Sequence, residues 1–458
     1  MAIKKSKGVN DSEQFLADLC ERTFLKLWSY PNPYKDDGHE LCDLLAVFEK
    51  HVFIFFDRDK NLDHTSEKDP QVLWDRWKRN VIDAQIKTAH GAERYIASGR
   101  LIYLDGKRQV LFPLNIDVNN MVVHKIIVAH GARVACEHSS VTNIYGSLAI
   151  QYSNSTTDNL TSPLFHIYID KNNPVHVFDS FNLPILLNEL DTVVDFTNYL
   201  NAKLDAIRNL GCLSYCGEED LLAHYFTNFD ENSKCHFIRT KDFSYDAVMI
   251  GEGEWSDFSK SQTYQNTKTA NKVSYLWDEI IQNTCQYKLD GKLLGDDDVF
   301  NERSAIHEMA KESRFVRRNL ANRMVNAINK FPDTVNALTT FLTFTTSFYP
   351  DKGYVFLQLW AIPSICENSE YREKRQTFLE IACGSAKNKF PNLKTVIGIA
   401  IDAPKHAEKN AEDFIVMDCE SWSDEQKSYY QELNKDCGFF KDTTPINSFR
   451  STEFVSSK

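Results

Sequence analysis

Two apolar runs decide the fold of the N-terminal third: residues 38–48 (GHELCDLLAVF) and residues 52–60 (VFIFFDRDK). The intervening Glu49-Lys50-His51 predicts a β-hairpin with a three-residue loop. If Phe48 pairs with Val52, Asp43 lies opposite Asp57. Because the core of each run is apolar on both faces, the hairpin is expected to be buried.

The two aspartates at the open end of this hairpin indicate a metal site. Directly opposed residues of an antiparallel pair have Cβ atoms about 5 Å apart, and like charges there are destabilising. A divalent cation between Asp43 and Asp57 would relieve the repulsion, and carboxylate oxygens suit Mg²⁺ or Mn²⁺. The hairpin therefore predicts a Mg²⁺ or Mn²⁺ site with Asp43 and Asp57 as ligands.

Length and composition set broad bounds on the protein. A chain of 458 residues with 42% hydrophobic and 25% charged residues is expected to form two or three soluble domains. The net charge of −12 argues against a protein coated in nucleic acid, but it allows a nuclease with its basic residues in one groove. The eleven cysteines have no repeated spacing, so a secreted disulfide framework is not expected. The sequence shows no signal peptide and no run of ~20 apolar residues. We therefore predict a cytoplasmic protein without a membrane partner.

The pattern of elements predicts the α/β (α+β) class. Residues 1–112 are expected to hold a helix, the hairpin, a helix at 72–97 and a third strand at 101–104. Residues 113–250 form a mixed middle region with strands near 125–129, 147–150, 165–169 and 175–178, the last two paired as a hairpin. Residues 252–270 have few apolar positions and predict a linker or mobile loop.

The C-terminal third is expected to be an α/β layer over residues 271–442. A long helix at 302–330 opens it, and strands at 355–361, 395–401 and 414–417 alternate with helices at 371–383 and 424–433. The tail, residues 443–458, is expected to be disordered.

The N-terminal order of elements resembles the PD-(D/E)xK nuclease core. An acidic first helix is followed by a hairpin with one aspartate early, Asp43, and a charged cluster at its end, Asp57-Arg58-Asp59-Lys60. Residues 38–45 (GHELCDLL) and 91–94 (GAER) also resemble an uncharacterised group of bacterial proteins with such a core, over most of the chain. The resemblance implies an endonuclease in which acids bind one or two divalent ions and a lysine orients or activates the attacking water.

The resemblance assigns roles residue by residue and leaves alternatives open. A strict motif has lysine two residues after the acid, where this chain has Asp59, so either Lys60 or Arg58 would supply the cation. An acid on the following helix substitutes in some relatives, and Glu93 or Gln85 stands at that place. Glu21 of the first helix is a further candidate metal ligand.

Two groups of basic residues are candidate DNA contacts: Arg76 and Arg79 on the helix after the hairpin, and Arg314, Arg317 and Arg318 on the long C-terminal helix. The alternative for each group is a solvated helix face. The leading hypothesis is a metal-dependent nuclease acting on DNA rather than RNA, in restriction or phage defence, with a homodimer or a partner protein left open. The alternative is a binding or sensing protein that keeps the nuclease fold without catalysis.

Overall fold

The computed structural model describes residues 3–139, 145–154, 163–230, 234–239, 245–292, 304–366, 370–407, 411–441 and 452–455. The chain forms two compact units, Met1–Gln265 with Leu289–Gly291, and Asn266–Lys288 with Lys292–Lys458. Both units combine helices with mixed sheets, so the predicted α/β (α+β) class is confirmed. Within the described ranges, no helix is long and apolar enough to cross a membrane.

The first unit holds thirteen described strands, eight described helices and the first turn of a ninth, α9, which continues into the second unit. The strands are β1 (Ser29–Pro31), β2 (Tyr34–Lys35), β3 (Leu44–Phe48), β4 (His51–Asp59), β5 (Ile102–Tyr103), β6 (Val122–His130), β7 (Ala149–Ser153), β8 (His166–Asp170), β9 (His176–Asp179), β10 (Cys212–Cys216), β11 (Phe229–Asp230), β12 (Cys235–His236) and β13 (Ala247–Ile250). The helices are α1 (Asp11–Trp28), α2 (Pro70–Lys78), α3 (Ala84–Ala97), α4 (Arg133–Ser139), α5 (Asn182–Glu189), α6 (Val193–Asn209), α7 (Glu218–Thr227), α8 (Glu254–Lys260) and α9 (Gln262–Asn271). A π-helical turn, Arg79–Asp83, joins α2 to α3.

The central sheet of this unit has the strand order β1-β3-β4-β6-β9. Strands β1, β3 and β4 are antiparallel neighbours, whereas β4, β6 and β9 run parallel. The sheet therefore crosses the boundary expected at residue 112, because strands from both sides of it pair. Helices α1 and α6 cover one face, where Phe24 and Phe196 pack on Phe53 with ring centroids 4.8 and 5.8 Å away. Helix α3 covers the other face.

The hairpin is present, but its expected register is wrong by one residue. Phe48 pairs with His51 rather than with Val52, so the loop has two residues and Glu49 adopts a φ of 51°. Strand β4 begins one residue early because β6 pairs with it from His51 onward. Asp43 is consequently not the register partner of Asp57.

The expected third strand, β5, is present and pairs with β2 in a separate two-stranded ribbon. One further expectation, about strand pairing, is wrong. Strand β8 pairs in parallel with β7 in a second sheet of order β13-β10-β7-β8, whereas β9 joins β6 in the central sheet. Residues 252–270 are also not a loop, since α8 and α9 occupy most of them.

The second unit is the expected α/β layer. Its elements are α10 (Tyr275–Leu289), α11 (Ala305–Ala310), α12 (Arg314–Lys330), β14 (Leu338–Thr346), β15 (Lys352–Ala361), α13 (Pro363–Cys366), α14 (Glu370–Lys389), β16 (Thr395–Asp402), β17 (Glu412–Asp418) and α15 (Asp424–Cys437). The strands form one sheet in the order β14-β15-β16-β17. The single helix expected at 302–330 is broken, because Ser313 caps a new helix by accepting from the Val316 N–H. Of the tail expected to be disordered, residues 443–451 and 456–458 lie outside the described residues.

Candidate active site

Three adjacent parallel strands end together in the central sheet. Asp59 near the end of β4 is the register partner of His130 at the end of β6, and Ala129 is the partner of Asp179 at the end of β9. Ligands of α/β sheets bind beyond the carboxyl ends of such strands. The side chains of Asp57, His130 and Ser180 lie at this edge of the sheet.

Asp57 and His130 form a buried ion pair at this edge. The His130 Nε2 lies 2.6 Å from the Asp57 Oδ1, and the two side chains are 14% and 1% exposed. Neither Asp57 oxygen nor the Nε2 has an aligned hydrogen bond among the described residues, so the contact is electrostatic, and it is an ion pair when His130 is protonated. Burial lowers the pKa of His130, but the Asp57 carboxylate opposes this effect and the net shift is upward.

Ser180 lies on the other side of the same imidazole. Its Oγ is 2.8 Å from the His130 Nδ1, and the residue is exposed. It stands in the tight turn between β9 and α5. The Asp179 carboxylate holds this turn by accepting from the backbone N–H groups of Phe181 and Asn182 at 2.8 and 2.9 Å. A hydroxyl, an imidazole and a carboxylate therefore follow one another from the surface inward.

Further buried carboxyl groups lie next to this edge. Burial raises the pKa of Asp179 and, with the charge of Asp179, that of Glu219. The Ser147 hydroxyl donates to Glu219 Oε1, whereas Glu219 Oε2 has no hydrogen-bond partner in the described part of the chain. Gly217, with a φ of 86°, permits this arrangement because a Cβ there would lie 2.3 Å from Glu219 Oε1. The neighbourhood favours protonated carboxyl groups.

Asp43 lies beside the backbone of Asp57 rather than beside its carboxylate. The Asp57 N–H donates to Asp43 Oδ2 at 2.5 Å. Burial raises the pKa of Asp43 to about 7, and the charges of Glu13 and Glu40 add to the rise. The expected helix acid, Glu21, is instead 42% exposed and lies 4.0 Å from the ammonium of Lys26.

The charge of Glu93 is compensated by Lys125 on the face of the sheet opposite Asp57. Its Oε2 accepts from the Lys125 Nζ at 2.7 Å, and the same ammonium donates to Asn173. Lys125 and Val128, the register partner of Asp57, are three residues apart on β6, so their side chains point to opposite faces. Gln85 donates to the backbone carbonyls of Val81 and Val128. The structure therefore separates Glu93 and Gln85 from Asp57.

Basic residues follow Asp57 and His130 along the chain. Arg58 follows Asp57 on β4, so its side chain points to the opposite face of the sheet, where it donates to the Asn80 carbonyl at 3.0 Å. Lys60 follows the end of β4 and is exposed. The Lys60 carbonyl packs against Gly131, whose φ is 88°. Arg133 at the start of α4 lies 4.0 Å from the ring centroid of Phe181, next to Ser180. On α2 and the π turn, Arg76 and Arg79 are exposed as expected of surface cations.

The arginines of α12 do not form a surface for DNA. Arg314, Arg317 and Arg318 are 6%, 0% and 4% exposed. Arg314 and Arg317 each contact a carboxylate oxygen of Asp278 at 2.7 Å. Arg318 donates to Asn271 and to the carbonyls of Thr452 and Glu453. These guanidinium groups stabilise the second unit from inside.

The expected metal ligands do not converge on one ion. Asp43 already accepts from a backbone N–H, Asp57 faces His130, and Glu21 lies next to Lys26. Among the described residues, no group of three His, Cys, Asp or Glu side chains is placed to hold a metal. The Mg²⁺ or Mn²⁺ site predicted from the hairpin stays a prediction.

Sequence reasoning missed His130, Asp179 and Ser180. Each follows an apolar run that was identified as a strand, at 125–129 and 175–178, and polar residues directly after buried strands are a usable signal for a site at the edge of a sheet. The sequence matches no protein-family model, and neither a curated protein nor a solved structure is significantly similar to the chain.

Proposed function

We propose that this protein hydrolyses phosphodiester bonds in nucleic acid, DNA rather than RNA, at the edge formed by Asp57 and His130. The observation that carries the proposal is the buried ion pair at 2.6 Å, at the carboxyl ends of parallel strands. The exposed Lys60, and Arg133, which also pairs with Glu137 at 2.9 Å, supply positive charge near this edge in a chain of net charge −12, which favours an anionic substrate. The resemblance to the nuclease core is the second support.

The chemistry asked of these residues is proton transfer and charge compensation. His130 would take the proton of the attacking oxygen and return it to the leaving oxygen, while the Asp57 carboxylate stabilises the imidazolium. Lys60 and Arg133 would offset charge that develops on the phosphate. The requirement for Mg²⁺ or Mn²⁺ stays a prediction, and no step above depends on it.

The test is conversion of supercoiled plasmid to nicked or linear DNA, with Mg²⁺, with Mn²⁺ and with EDTA. Asp57→Asn should abolish cleavage, because the neutral amide no longer stabilises a protonated His130. Asp117→Asn is the matched control, since Asp117 is an exposed aspartate that accepts from the backbone N–H of Asn119. Asp43→Ala tests the expected ligand in the same assay.

Loss of cleavage in Asp57→Asn alone supports the proposal. Equal cleavage by wild type and Asp57→Asn, with both proteins folded, would remove the Asp57–His130 edge from the mechanism. Cleavage that requires a divalent ion and disappears in Asp43→Ala would restore the metal site predicted from the hairpin. We further propose the cytoplasm as the location and restriction or phage defence as the setting, alone, as a homodimer or with a partner protein.

The second candidate is a nucleic-acid-binding or sensing protein without catalysis. The burial of Arg314, Arg317 and Arg318 and the pairing of Glu93 with Lys125 favour it, because both remove groups on which a nuclease was expected to depend. It predicts DNA binding, measured by fluorescence anisotropy, without cleavage under any of the three metal conditions.

A further inference from the structure

We infer that Ser180 is a nucleophile activated by His130, so that the reaction passes through a covalent serine intermediate. The inference rests on the proposed function for its substrate class, a phosphodiester. It goes beyond that function because water, not a side chain, attacks in the mechanism above.

The first support is the continuity of the contacts. The Ser180 Oγ lies 2.8 Å from the His130 Nδ1, and the His130 Nε2 lies 2.6 Å from the Asp57 Oδ1. Each ring nitrogen thus has one partner. The Nε2 contact with the carboxylate is not an aligned hydrogen bond. With the ring proton on Nε2 and the imidazole neutral, the Nδ1 can accept the hydroxyl proton of Ser180, which is the arrangement that activates a serine.

The second support is the position of Ser180 in the chain. It is exposed at the turn from β9 into α5, while its neighbours Phe178, Asp179 and Asn182 are buried. The Asp179 and Asn182 side chains bond reciprocally to each other's backbone N–H groups and hold the turn. A serine in a braced turn after a parallel strand presents its hydroxyl to a ligand beyond the carboxyl ends of the strands.

The step balances without a further reactant. The Ser180 Oγ forms a bond to phosphorus, its proton passes to the His130 Nδ1, and the bond from phosphorus to the leaving oxygen breaks as that oxygen takes the proton. Water then attacks the phosphorus and gives its proton to the His130 Nδ1. The bond from phosphorus to the Ser180 Oγ breaks as that oxygen regains a proton, and the phosphate is released. Arg133, whose guanidinium lies over the ring of Phe181 next to Ser180, supplies positive charge near the place where the phosphate charge would sit.

The test uses an alkyl fluorophosphonate, which carries the same electrophilic phosphorus and loses fluoride on reaction with an activated serine. The full-length protein is incubated with the probe, and the adduct is measured by intact mass and located by peptide mapping. Ser98→Ala is the matched control, because Ser98 is an exposed serine whose hydroxyl donates only to the Tyr95 carbonyl. His130→Gln should slow labelling by about 100-fold or more, the usual contribution of a general base.

Labelling of Ser180 in wild type and Ser98→Ala, with none in Ser180→Ala, supports the inference. Unlabelled wild type, or equal labelling of Ser180→Ala, overturns it. If His130→Gln does not fold, as judged by thermal melting, the two serine variants decide. Plasmid cleavage is measured on the same samples. Cleavage without labelling would refute the serine step alone. Labelling of Ser180 without cleavage would refute the phosphodiester substrate alone.

Discussion

Asp43→Asn is expected to stabilise the protein, and increasingly so as the pH rises. Burial raises the pKa of Asp43 to about 7 from an ordinary 3.8, so the folded state favours the protonated carboxyl. Between these two values the folded protein keeps a proton that the unfolded chain has lost, and wild-type stability therefore falls as the pH increases. Asparagine does not titrate, and its Oδ1 still accepts the Asp57 N–H.

The expected magnitude follows from the width of that window. Each pH unit between the two pKa values is worth about 1.4 kcal/mol, so the full span of roughly three units gives about 4 kcal/mol. Between pH 5 and pH 8 the advantage of the asparagine variant should grow by about 3 kcal/mol. Urea unfolding at both pH values, in EDTA, measures it, and Asp59→Asn serves as the exposed control.

Addition of magnesium to the same experiment distinguishes protonation of Asp43 from metal binding at Asp43. An ion bound at 100 times its dissociation constant would stabilise the wild type by about 2.7 kcal/mol. A gain of that size would place an ion at Asp43, whereas no gain would leave a proton there, beside the backbone N–H that Asp43 accepts. A wild type that is more stable than the variant at pH 8, or a difference that does not change with pH, would refute the reasoning.

Three further predictions concern groups whose roles the structure changes. Arg317→Ala should destabilise the second unit by about 3–5 kcal/mol in urea unfolding, because it leaves Asp278 without one of its two guanidinium partners in the core; wild-type stability would contradict this. Glu93→Gln should lower the melting temperature, since it leaves the buried Lys125 with an uncompensated charge, but should not change plasmid cleavage; loss of cleavage in a folded variant would return Glu93 to the site. Gly131→Ala should lower both stability and activity, because the new Cβ would lie 2.3 Å from the Lys60 carbonyl and displace the residue next to His130; an unchanged melting temperature would count against it.

The sequence allowed the apolar hairpin and most central strands to be predicted, because buried strands are continuous apolar runs. The register was missed because it depends on Glu49, a non-glycine residue with a positive φ that no local pattern indicates. Helix α8 was missed for a related reason: none of its residues is buried, so it has no apolar stripe to recognise.

The candidate site was only partly predictable. Asp57 was identified because it ends a strong apolar run, whereas His130 and Ser180 come from strands 50 residues or more further on, and their pairing depends on a parallel topology that the hairpin does not reveal. The basic side of α12 was misread for the same reason, since Asp278, which makes Arg314 and Arg317 core residues, lies on a different helix. The local sequence around a charged residue does not show whether its side chain is buried, because the partner that allows burial comes from another segment.

The most direct measurement of the central claim is hydrolysis of bis(p-nitrophenyl) phosphate by His130→Gln beside His166→Gln. His166 is the matched control because it is an exposed histidine at the start of β8 whose imidazole Nδ1 lies 3.1 Å from the Leu164 carbonyl. If His130 transfers the proton, its variant should lose about 100-fold or more of the rate while His166→Gln keeps the wild-type rate. A folded His130→Gln variant that hydrolyses the substrate at the wild-type rate would contradict the account.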